Sequence, residues 1–127
     1  MDADSRHAKM LDAQKTCWEL PRERVFEAAK EAIASYRSYQ TEIADLEKGR
    51  IETYPRDEEV PAGELERRHR LVVQLLTEDA CTKVLVTAPI EVMYDADSGA
   101  FTEIEEQSYG IRYDATLKID GKLKAMK

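Results

Sequence analysis

From Thr82 to Tyr94 apolar residues recur at every second position: Val84, Val86, Ala88, Ile90, Val92 and Tyr94 share one face, and Lys83, Leu85, Thr87 and Glu91 share the other. Strand side chains alternate with a period of two, so this stretch reads as a long strand with one face in a core. It constrains the fold more than any other feature, because such a strand needs neighbours and its apolar face needs a cover. Pro89 lies mid-strand on the second face. A proline removes a ladder donor, which predicts either an edge position or a bulge that bends the strand.

The cover is readable between Pro21 and Tyr36, PRERVFEAAKEAIASY. Val25, Phe26, Ala29, Ala32, Ile33 and Tyr36 recur at spacings of three and four, on one side of a 3.6-residue helix. Arg22, Glu23, Glu27, Lys30 and Glu31 fall largely on the other side. Pro21 suits the first helical position, where its missing N–H has no partner to lose. The apolar stripe is one-sided, so this helix covers a sheet.

Residues 1–14 are polar and lack a sustained period, and read as a tail or a frayed helical lead-in. Thr16–Leu20 is rich in strand formers and reads as a first strand, with Trp18 on the sheet's inner face. Tyr39–Leu46 alternates, with Tyr39, Thr41 and Ile43 on one face; Glu47-Lys48-Gly49 turns the chain, and Arg50–Tyr54 returns. Pro55 opens a ten-residue acidic loop, PRDEEVPAGE. Arg68–Thr77 reads as another long strand, turning at Glu78-Asp79-Ala80 into the 82–94 strand; Asp95–Gly99 is a turn cluster. Phe101–Ser108 is acidic and ambiguous. The last segment fits two periods. Ile111, Tyr113, Ala115, Leu117 and Ile119 alternate, but a hairpin at Asp120-Gly121 would put Lys122 and Lys124 on the apolar face. Ile111, Ala115, Ile119, Leu123 and Met126 share one side of a helix, so a helix from Tyr109 to Ala125 is expected, with Gly121 a cost of about 1 kcal/mol.

These segments predict an α+β fold, β-α-β-β-β-β-α: an antiparallel sheet of four or five strands packed on an N-terminal and a C-terminal helix. Residues 15–127 form one domain behind the 1–14 tail, as a 127-residue chain allows. Val84, Val86, Ile90 and Val92 are expected to face the first helix.

A formal net charge of −7 provides no positive field for phosphates and argues against nucleic acid. No apolar run reaches membrane-spanning length, and MDADSRHAKMLDAQK has no apolar signal-peptide core. Cys17 and Cys81 lack metal-ligand spacing; each begins or ends a strand, so the two can lie near each other, but as a single pair they are expected to be free thiols. His69, within Arg67-Arg68-His69-Arg70, reads as a solvated strand end rather than an anion site. Glu58, Glu59, Glu103, Glu105 and Glu106 lie in polar stretches and read as solvating surface. No pattern sets up a pair of carboxylates with separated pKa values, and the five glycines are dispersed. No catalytic, cofactor or metal residue is therefore assigned, and the chain is not expected to be an enzyme.

Val25-Phe26-Glu27-Ala28-Ala29 early in the helix, then Asp45, Gly49, Ile51 and Thr53 in the hairpin, and Leu117-Lys118-Ile119 with Leu123 at the end, occur in a suggestive order. The order resembles the BamC-like helix-grip domains of small bacterial envelope lipoproteins. The resemblance implies a non-enzymatic protein-interaction domain, an accessory component of a bacterial envelope assembly. It implies placement in the cell envelope on the periplasmic side, with any lipid anchor lying outside this sequence. Two other readings stand beside it: a helix-grip carrier holding an apolar ligand between helix and sheet, and an acidic cytoplasmic adaptor or chaperone. The expected contact surface is the second sheet face or an open edge, through Leu85, Thr87, Pro89 and Met93. The expected partner is a protein, basic in character given the −7 charge.

Overall fold

A computed structural model describes residues 3–126. Its elements are α1 (Ala3–Lys15), α2 (Arg22–Ser35), β1 (Thr41–Asp45), β2 (Arg50–Thr53), β3 (Arg56–Asp57), β4 (Glu66–His69), β5 (Val72–Glu78), β6 (Cys81–Thr87), β7 (Pro89–Met93), β8 (Thr102–Gln107) and α3 (Tyr109–Lys124). The class is α+β, with two antiparallel four-stranded sheets in the orders β1-β2-β5-β6 and β3-β4-β7-β8.

The two sheets are continuous through two long chain segments. Residues 66–78 leave the second sheet as β4 and enter the first as β5, breaking at Arg70-Leu71; residues 81–93 run back as β6 and β7, breaking at Ala88. The result is one sheet folded across its middle. Pro89 is the first residue of β7, and the register against β8 shifts between Pro89 and Glu91. Of the two expectations for this proline, the bend holds and the edge does not: β7 lies between β4 and β8. Hydrogen bonding continues over the bend, from Arg70 N–H to the Pro89 carbonyl at 3.2 Å, from Thr53 N–H to the Leu71 carbonyl at 3.0 Å, and from Leu71 N–H to the Thr53 side-chain Oγ1 at 2.9 Å.

The helices cover the inner face. Val25, Phe26, Ala29, Ala32 and Ile33 from α2 join Ala115, Ile119 and Leu123 from α3 against Ile51, Val73, Leu75, Val84 and Val86. The 3.6-residue stripes of the helices meet the period-two stripe of the strands, and removal of this apolar area from water is the main stabilising term. Ile90 and Val92 are buried on the same side, but lie outside the cluster shared with the helix. Tyr94, which completes the alternation, is exposed, because β7 ends at Met93.

Several segments differ from expectation. Of the two readings for residues 1–14, a tail or a helical lead-in, the helical one holds among the described residues. Residues 3–15 form α1, which packs mainly on α3 and contacts β6. Among its described side chains Met10 is the one that is fully buried, and two polar contacts add to it: Arg6 Nη1 to Asp114 Oδ1 at 3.1 Å, and His7 Nδ1 to the Tyr113 hydroxyl at 2.9 Å. Thr16–Leu20 is reduced to one bridge, Trp18 to Thr82, although Trp18 is buried in the core as expected. Pro21 is the N-cap of α2, one position before the first helical residue. In β1 a register shift between Thr41 and Ile43 turns Ile43 out to solvent. Phe101–Ser108 contributes β8. Gly49 closes the β1–β2 turn with φ +67°, and an added Cβ would lie 3.1 Å from Leu75 Cβ and overlap the Arg22 guanidinium. Both its conformation and its surroundings require glycine.

Cys17 and Cys81 form a disulfide, with Cα atoms 5.3 Å apart. This corrects the expectation of free thiols. The physical reason is the Trp18–Thr82 bridge, whose two backbone hydrogen bonds of 2.9 and 3.0 Å hold the flanking cysteines within bonding reach.

Candidate functional site

Alternation that buries Val73, Leu75, Val84 and Val86 necessarily turns Val72, Gln74, Leu85 and Thr87 to the opposite face. No helix of the described residues covers that side. The fold across Ala88 and Arg70 makes the face concave, and the resulting groove holds about 640 Å³. Strand register places its lining in rows. Arg50, Gln74 and Leu85 are opposed across β2, β5 and β6; Glu52, Val72 and Thr87 form the next row. Beyond the bend come Pro89 with Gln107, then Glu91 with Glu103.

The groove therefore has an apolar floor and a charged rim. Val72, Leu85 and Pro89 supply the apolar part of the floor, beside the polar Thr87 and Gln74, and Arg50, Glu52, Arg70, Glu91 and Glu103 the ions. Both lining arginines are already engaged: Arg50 Nε lies 2.8 Å from Glu52 Oε2, and Arg70 Nη2 lies 3.1 Å from Glu91 Oε1. Arg68 also reaches Glu91, at 3.2 Å. Glu103 stands directly opposite Glu91 on the neighbouring strand and is exposed. Like charges in directly opposed positions repel, and the Arg68 and Arg70 guanidiniums offset this at Glu91. The lining carries three carboxylates against two guanidiniums, so it favours cationic over anionic groups.

Three of the four residues expected to bind a partner line this groove: Leu85, Thr87 and Pro89. Met93 does not; it lies at the far end of β7, opposite Glu66, with its carbonyl accepting from Leu65 N–H. Of the other lining residues, Arg50, Glu52 and Gln107 were not singled out from sequence, and Glu103 was read only as solvating surface. Their only local signal is that Arg50 and Glu52 alternate with buried Ile51 and Thr53. No protein-family model matches this chain, and no curated protein matches it.

The arginine cluster expected to be a solvated strand end is neither solvated throughout nor free for an anion. Arg67 is held between Glu64 at 3.0 Å and Glu106 at 2.6 Å, Arg68 and Arg70 share Glu91, and His69 is buried. Glu58, read as solvating surface, instead faces His69. Among the described residues no group of three or more His, Cys, Asp or Glu is placed to hold a metal ion. No helix of the described residues is long and apolar enough to cross a membrane.

Proposed function

We propose that this domain is a non-catalytic protein-binding module that receives its partner in the concave outer face of the folded sheet. The observation that carries this reading is the groove itself: a strip of Val72, Leu85 and Pro89 framed by ion pairs, on a sheet face that no helix of the described residues covers. Such a strip removes apolar area from water on binding, while the rim sets orientation and charge preference. The helix side supports the same division of labour. Phe26, Ile33 and Ile119 occupy the space between helices and sheet, and the void beside Trp18 and Val84 holds about 10 Å³, room for one water rather than a lipid.

The disulfide supports an oxidising compartment, where such bonds form and persist. Together with the resemblance to envelope accessory lipoproteins, it favours the periplasmic side of a bacterial envelope. In this reading the domain is an accessory component of an assembly there, and its partner offers a basic segment. The test is a photo-crosslinking residue placed at Thr87 in the groove and, separately, at Glu27 on the outer side of α2. Adducts with a protein at position 87 and none at 27, lost at high salt, are expected. Adducts at 27 with none at 87 would overturn the placement.

A further inference from the structure

The two sheets end on four edge strands, β1 and β6 in the first, β3 and β8 in the second. Three of them offer little to another chain. The free side of β6 is closed at intervals. Thr82 pairs with Trp18, the Val86 carbonyl accepts from Arg112 Nε at 2.8 Å, and the Ala88 carbonyl just beyond accepts from Ser108 N–H at 2.9 Å. β3 is two residues long. β1 has five residues, and its acids are engaged within the chain: Glu42 lies 4.0 Å from Arg70, and Asp45 accepts from Lys48 N–H at 3.0 Å.

β8 differs on each point. It runs six residues, Thr102–Gln107, and pairs with β7 on one side. Among the described residues no backbone hydrogen bond leaves its other side. Alternate N–H and C=O groups of an edge strand point away from its neighbour, so this side presents a row of donors and acceptors that an added strand can satisfy.

Alternation fixes which side chains stand beside that row. Glu103 and Gln107 line the groove, opposite Glu91 and Pro89, and Glu105 falls between them on the same outer face. Ile104 is half-buried and faces the other way, as does Glu106, which holds Arg67 at 2.6 Å. No ion pair or hydrogen bond among the described residues engages the carboxylate of Glu103 or Glu105. β8 thus carries three carboxylates and no cation. A second copy of this chain added here would set acids beside acids, which opposes self-pairing. A basic strand is attracted to the same edge.

We propose that β8 is the docking edge for an extended basic segment of another protein, which joins the second sheet with lysine or arginine at alternate positions and an apolar residue between them. The cations stand beside Glu103 and Glu105 on the groove side, and the apolar residue beside Ile104. Main-chain bonds supply affinity, and the alternate side chains supply specificity. This inference rests on the reading of the domain as a protein-binding module, and adds to it the conformation and the pattern of the bound segment.

The test is an amide NMR titration of the whole chain with the peptide acetyl-Thr-Lys-Val-Lys-Val-Lys-Thr-amide. Shifts should centre on residues 102–107 and weaken as salt screens the charges. Two further peptides carry N-methyl groups, one on its lysine nitrogens and the other on its valine nitrogens. Only alternate N–H groups of an added strand face β8, so one of the two should bind at least about fivefold more weakly than the parent and the other close to it. Glu103→Lys with Glu105→Lys should lose the lysine peptide and gain the one in which glutamate replaces every lysine. No shift at millimolar parent peptide, shifts centred on another edge, or equal behaviour of the two N-methyl peptides overturns the proposal. If the charge-reversed variant fails to fold, the N-methyl pair on the unaltered chain decides alone. A protein captured at Thr87 whose affinity is unchanged by Glu103→Lys with Glu105→Lys overturns the β8 edge and leaves the groove standing. Peptide addition at β8 with no crosslink at Thr87 upholds the edge and counts against the groove alone.

Discussion

Trp18 and Thr82 exchange two backbone hydrogen bonds, and this single bridge ties the segment between α1 and α2 to the edge of the first sheet. The Cys17–Cys81 disulfide lies beside it and closes 64 residues of sequence. In the chain-entropy account a loop of that length contributes about 4 kcal/mol, by restricting the unfolded chain. Reduction, or Cys17→Ser with Cys81→Ser, should lower the urea midpoint by an amount corresponding to about 2–4 kcal/mol. An unchanged midpoint after complete reduction would contradict this.

Ile119 in α3 is 1% exposed, at the junction with α2 and the sheet. Ile119→Ala should cost about 2–5 kcal/mol, and Ile119→Asp more, because a buried unpaired charge adds to the cavity. Lys118, one residue away and exposed, serves as the control: Lys118→Ala should stay within about 0.5 kcal/mol. Equal effects at both positions in chemical denaturation would place α3 wrongly.

The contrast between Ile119 and Asp120 shows what the sequence made legible. The α3 stripe of Ala115, Ile119 and Leu123 was readable because a helical period and a blocked hairpin register agreed, despite Gly121. The burial of Asp120 was not readable; its carboxylate is held by Lys124 at 2.9 Å on a helix face that the pattern assigns to solvent. The packing of α1, as distinct from its helical lead-in reading, was not readable for a related reason. With Met10 the one fully buried side chain among those described, α1 is placed by Arg6–Asp114 and His7–Tyr113, contacts across more than a hundred residues that no local period encodes. In the groove, Leu85, Thr87 and Pro89 follow from alternation within one strand. Glu103 and Gln107 follow only from the pairing of β7 with β8, which a bulge at Pro89 shifts.

Tyr36 at the end of α2 donates its hydroxyl hydrogen to Asp114 Oδ2 at 3.2 Å, beside the Arg6–Asp114 pair. Burial, and then the Asp114 charge, push its pKa up to about 12 from 10.0. The folded value lies above the unfolded one, so the stability it contributes is complete below pH 10 and is lost as pH rises toward about 12. In a tyrosinate absorbance titration of the folded protein, Tyr36→Phe should delete a component at the alkaline end. Loss of a component near pH 10 instead would show that the ring is not buried against Asp114.

Leu85 lies in the groove floor between Gln74 and the open edge of β6, partly exposed and outside the core cluster. Replacing it should therefore disturb binding more than folding, as expected for a residue near the centre of an interface. The affinity of the protein captured at Thr87, measured for Leu85→Glu and for Glu27→Lys with both variants folded by circular dichroism, tests the outer face most directly. A loss of at least about tenfold, or 1.4 kcal/mol, for Leu85→Glu beside an unchanged Glu27→Lys is the predicted result. Unchanged affinity for Leu85→Glu, or an equal loss for both, would contradict binding in the groove.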